Sequence, residues 1–168
     1  MSKTASTGSR LSSRHRILRW VVTLCWAALI FDFSTSKFGS SFTGVMLARW
    51  LAAIHIHLSP GHFEILHLIV RKGAHFTEYG ILSLLLYASI SSLKRFEWQP
   101  RVALLCVLIA AFYSLTDEFH QTFVPDRGPS LEDCAVDVSG AVIAMLLVYL
   151  GTRWASKRRA GEVIVEVE

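Results

Sequence analysis

Four apolar runs, each close to the length that crosses a bilayer, constrain this chain more than any other feature. They cover about residues 17–33, 73–93, 102–121 and 133–154. A hydrocarbon core of about 30 Å calls for about 20 apolar residues in helical form. No proline lies inside any of the four, so each can satisfy its backbone within one continuous helix, as lipid requires. The chain is 52% hydrophobic over 168 residues, and its mean hydropathy is +0.43. Both figures exclude an ordinary soluble domain. The expected fold class is an all-α membrane protein with four transmembrane helices.

Basic residues set the expected orientation. Of the 17 Lys and Arg, twelve flank one end of the four runs. These are Lys3, Arg10, Arg14, Arg16 and Arg19, then Lys94, Arg95 and Arg101, then Arg153, Lys157, Arg158 and Arg159. The other five are Lys37, Arg49, Arg71, Lys72 and Arg127. The positive-inside rule then places both termini in the cytoplasm. The flanks also account for the net charge of +4 and the pI near 9.2, leaving nucleic-acid binding without support. The first run ends in Phe31-Asp32-Phe33-Ser34, with no small-x-small cleavage site, and reads as an uncleaved anchor. Residues 1–14, rich in Ser, Thr and Arg, are expected as a disordered cytoplasmic tail. Residues 15–155 form the membrane domain, and 156–168 a second, loose cytoplasmic tail. Cys25 and Cys106 read as buried small hydrophobes. Cys134 lies near the outer face, where an intermolecular disulfide is conceivable.

Between the first and second runs, residues 34–71 form an outer loop. Phe42, Met46, Leu47, Trp50 and Leu51 recur at helical spacing, so an interfacial amphipathic helix is expected over about 41–58, broken at Ser59-Pro60-Gly61. A short helix over 62–71 then leads to Lys72, with Gly73 offering a bend. His55, His57, His62 and His67 read as surface or interfacial residues rather than a metal site. His55 and His57 point about 200° apart on a helix, and Glu64-x-x-His67 lacks the matching half of a di-iron motif. No metal and no cofactor is expected.

Three polar clusters sit where the apolar runs meet that outer loop and its counterpart. They are Lys72-x-x-His75-x-x-Glu78-Tyr79, Asp117-Glu118-x-x-Gln121-x-Phe123-x-Pro125-x-Arg127, and Asp133-x-x-x-Asp137-x-x-Gly140. Ionisable groups at the centre of a membrane helix cost roughly 2.5–3.5 kcal/mol each, so they need partners or a purpose. At about 100° per residue, Lys72, His75 and Tyr79 share one stripe, with Glu78 off it. Asp117 and Gln121 are one turn apart, flanked by Glu118. Asp133, Asp137, Gly140 and Ala144 share another stripe, whose deeper half is small enough for close helix approach. Ser130 is placed to cap the fourth helix, with Asp133 in the capping-box position. Ligand-binding candidates are Lys72, His75, Tyr79, Asp117, Glu118, Gln121, Arg127, Asp133 and Asp137.

The order of these motifs resembles the VanZ-like family of small membrane proteins. The likeness rests on Lys72-x-x-His75-x-x-x-Tyr79, on Ser114-x-x-Asp117-Glu118-x-x-Gln121-x-Phe123-x-Pro125-x-Arg127, and on Asp133-x-x-x-Asp137-x-x-Gly140. It covers residues 70–145 best. It departs at Asp126, where Gly is frequent in the family. The resemblance implies a bacterial envelope protein of the inner (cytoplasmic) membrane, and the family's namesake is associated with reduced sensitivity to teicoplanin. It implies no reaction.

The residues then admit two principal functions. In the first, an outward-facing pocket binds an envelope-related ligand, lipid-linked or from the cell wall. Lys72, His75 and Arg127 meet its anionic groups, and the four carboxylates orient those cations. In the second, His75 works with Glu118 or Asp117 as an acid–base pair, or with several carboxylates around a divalent cation, on a lipid-linked or glycan substrate. A purely structural ion-pair network is the rival of both.

Overall fold

The computed structural model describes residues 5–91, 98–125 and 128–165. The described residues form five helices: α1 (Ala5–Phe33), α2 (Ser40–Ala53), α3 (Pro60–Ile90), α4 (Pro100–Gln121) and α5 (Leu131–Val165), with a 3₁₀ turn at Ser36–Phe38 between the first two. No strand occurs among the described residues, so the chain is all-α.

Local chemistry fixes most helix starts. Ser59 caps α3, its Oγ accepting the His62 backbone N–H at 3.5 Å, and Pro60 takes the first helical position. Pro100 opens α4 in the same way. Ser130 caps α5, accepting the Asp133 N–H at 3.2 Å.

Several boundaries differ from expectation. The short helix over 62–71 and the second apolar run are one 31-residue helix, α3, and the bend at Gly73 does not occur. One interior glycine costs about 1 kcal/mol, too little to break so long a hydrogen-bonded run. Lys72 therefore sits in mid-helix. The α2 helix stops at Ala53, short of Ser59-Pro60, because His55 adopts a left-handed φ of 57°. At both chain ends, α1 from Ala5 and α5 to Val165 run on through stretches expected as loose tails. Propagating a formed helix costs far less than starting one.

Among the described residues, two helices are long and apolar enough to cross a membrane, Pro100–Gln121 and Leu131–Arg158. A third candidate is Ser13–Phe33 with Ser36–Ala53, bent by 68°. The α3 helix, expected as a span, does not reach that apolarity because of its polar residues, Arg71, Lys72, His75 and Glu78 among them. It can carry them because it is the central helix, packed against α1, α2, α4 and α5.

Polarity is inverted relative to a soluble bundle. Tyr79, Ser114 and Asp137 are fully buried, whereas Phe112, Phe119 and Leu147 are more than 60% exposed. Long apolar helices with an apolar outer surface make this a membrane protein.

The packing sets helix direction. Partners across α3 and α5 differ by a near-constant 61 or 62 positions, so these two helices run parallel. Gly140 lies directly on α3: a Cβ there would collide with the Phe76 carbonyl oxygen and sit 2.9 Å from its carbon. Gly80, one turn further along α3, also faces Gly140, so the two backbones meet over small residues. The α1 helix runs opposite to α3. Arg19 donates to the Ala88 carbonyl at 2.8 Å, and Trp26 to that of Glu78 at 3.0 Å.

The bundle thus has two unlike ends. At one, Arg19, Arg153 and Arg158 accompany an aromatic group of Tyr87, Trp98 and Tyr149. At the other, the polar clusters of α3, α4 and α5 gather.

Candidate functional site

At the polar end, α3 and α5 are joined by charged rungs. Lys72 Nζ donates to Asp133 Oδ1 at 2.6 Å and reaches Glu132 at 3.5 Å. One turn deeper, His75 Nδ1 meets Asp137 Oδ1 at 3.2 Å. The second Asp137 oxygen accepts from Ser114 of α4 at 2.6 Å. Ionised, Asp137 can only accept, so its two partners are Ser114 O–H and His75 Nδ1–H, leaving His75 Nε2 for another group.

The α4 carboxylates turn elsewhere. Gln121 donates to Asp117 Oδ2 at 3.1 Å and to Glu118 Oε1 at 3.4 Å. Glu118 Oε2 accepts the Ser130 backbone N–H at 2.6 Å. The reciprocal half of the α5 cap is therefore supplied by Glu118 from the preceding helix, not by Asp133, whose carboxylate is engaged with Lys72. The expected pairing of His75 with Glu118 or Asp117 gives way to Asp137, because the parallel register of α3 and α5 sets those two residues opposite each other.

Two cavities adjoin this network. One, of about 270 Å³, is lined by Leu68, Arg71, Lys72, His75, Gly128, Ser130 and Asp133. The other, of about 250 Å³, lies where α1 bends into α2 and is lined by residues including Ile30, Ser34, Phe38, Arg71, His75, Glu78 and Asp117. Arg71 and His75, one turn apart on α3, form a wall of both. The structure thus brings together Lys72, His75, Asp117, Glu118, Gln121, Asp133 and Asp137. Tyr79 is buried beneath them against Tyr113, with ring centroids 6.2 Å apart. Arg127 lies outside the described residues.

Three participants were absent from the sequence candidates. Arg71 is half-buried between the cavities and has no ion pair among the described residues. Its only sequence signal was i, i+4 spacing to His75. Ser34, at the end of α1, is buried beside the Asp117 carboxylate, with no hydrogen bond of good geometry to its Oγ among the described residues. His67 holds α2 onto α3 through Thr43 Oγ1 at 2.9 Å, a structural duty. Cys25 is exposed rather than buried, and Cys134 is buried, which removes it from any intermolecular disulfide. Among the described residues, no three His, Cys, Asp or Glu side chains are disposed to hold a metal ion.

No curated protein and no solved structure matches the chain. A family model described as VanZ/LLP1 matches residues 19–152, a segment that contains every element of this network. The chain belongs to the VanZ/LLP1 family.

Proposed function

We propose that this is a four-span protein of the bacterial inner membrane, with both termini cytoplasmic, whose outward-facing polar pocket binds an envelope-related ligand. Alternating helix directions support the four spans: α1 and α4 run one way, α3 and α5 the other. The basic flanks and aromatic group at one end support the orientation. The α2 helix, exposing Phe42, Val45 and Trp50, lies along the outer interface.

The observation that carries the reading is the Arg71–His75 wall. Lys72 and His75 are each held by a carboxylate from α5, Arg71 stands between two cavities, and all three side chains line open space. Such a wall suits an anionic group, and Arg127 in the adjoining turn is proposed to add to it. Tyr79 and Gln121 back the pocket, and Asp117 and Glu118 orient it.

The test is complementation. A deletion strain is scored for envelope phenotypes, including teicoplanin sensitivity, and rescued with wild type or Arg71→Gln. The reading expects Arg71→Gln to reach the membrane in equal amount and fail to rescue. Full rescue contradicts it. A second reading, acid–base catalysis, is favoured by the His75–Asp137 dyad, whose histidine lines both cavities. Turnover of a lipid-linked or glycan substrate by purified protein, lost in His75→Gln, would select it.

A further inference from the structure

The elbow cavity between α1, α2 and α3 differs in character from its neighbour. Ile30, Phe33, Phe38 and Ala74 give it an apolar side, and Ser34, Thr43, Arg71, His75, Glu78 and Asp117 make its polar side. Two buried atoms there, Ser34 Oγ and Asp117 Oδ1, make no hydrogen bond of good geometry among the described residues, although the Ser34 hydroxyl lies near enough to act on the Asp117 carboxylate. The residues are 3% and 4% exposed. Buried polar atoms left unpaired are costly, and where they face a cavity the natural complement is a ligand.

The complement can be read from the chemistry. A carboxylate oxygen only accepts, so Asp117 calls for an N–H or O–H donor. Arg71 on the same cavity only donates, so it calls for an anion. The apolar side calls for hydrocarbon. The cavity includes no residue of α5, and Ala74 on its wall is exposed, as are Phe31 and Phe42 to either side of the bend. Its approach is from the apolar flank of the bundle.

We propose that the elbow cavity is a side-entry site for a glycerophospholipid whose head group carries hydrogen-bond donors. The phosphate lies against Arg71, the head-group donors meet Asp117 Oδ1 and Ser34 Oγ, and the start of an acyl chain lies on Ile30, Phe33 and Phe38. This rests on the reading of the polar end as a ligand pocket and names the ligand class.

The purified full-length protein in detergent is titrated with three short-chain lipids: phosphatidylethanolamine, phosphatidylglycerol and phosphatidylcholine. The first two offer head-group donors and the third has none. Wild type is expected to bind at least one donor lipid about tenfold more tightly than phosphatidylcholine, the worth of about one well-placed hydrogen bond. Ser34→Ala removes the hydroxyl beside the Asp117 carboxylate, and it should narrow that gap. Ala74→Trp should fill the cavity and weaken all three lipids, at unchanged melting temperature. Equal binding of the three lipids by wild type overturns the proposal, as does tight binding that survives Ala74→Trp. Either result alongside failed rescue by Arg71→Gln removes the lipid and keeps the pocket. Full rescue by Arg71→Gln removes both.

Discussion

Asp137 is the residue on which the polar end turns. It is fully buried, and it ties α3 to α4 through His75 and Ser114. Replacing it with Ala leaves both partners unpaired in the interior, at about 1–3 kcal/mol for each orphaned group before relaxation. Asp137→Ala should therefore lower the melting temperature clearly in detergent, and an unchanged transition would show that the rung carries no load. Lys72→Met should cost less than about 1 kcal/mol, because that pair is partly exposed. The stripes that hold these residues were legible in the sequence, since 3.6-residue periodicity alone puts Lys72 with His75 and Asp133 with Asp137. The pairings were not. They depend on the register between helices distant in sequence, which no local pattern encodes. Arg71 was missed for the related reason that only the cavities on its two sides give it significance.

At the scale of helices, glycines with opposite surroundings make a sharp contrast. Gly140 touches the backbone of Phe76, and Gly73 has nothing within 4 Å. Gly140→Ala must push α5 off α3 and should cost about 1–3 kcal/mol, like other overpacked sites. Gly73→Ala should be neutral or stabilise by up to about 1 kcal/mol, since it only improves helix propensity. Equal melting temperatures for the two variants would contradict the packing described here. The close approach at Gly140 was anticipated from its stripe of small residues. The continuity of α3 was not, because a glycine beside two basic residues has the outward marks of a helix end. The α2 helix was foreseen, but its stop at His55 depends on a left-handed backbone at a non-glycine residue, which composition does not announce.

The whole molecule has a polar end and a basic end. The segregation of Lys and Arg was legible from counting, because insertion acts on flanking charge rather than on tertiary contacts. In intact spheroplasts a Pro129→Cys variant should react with an impermeant maleimide, and reaction only after lysis would reverse the side of the pocket. The central claim is that the polar end is a binding site and not merely a brace, and His75→Gln tests it most directly. Glutamine can keep the hydrogen bond to Asp137 and roughly the volume of the ring, but it cannot titrate near neutral pH or offer an imidazole Nε2 to the cavities. The measurement pairs the variant's melting temperature with its ability to rescue the deletion phenotype. A transition close to wild type together with loss of rescue is expected. A variant that is equally stable and rescues fully would contradict the claim.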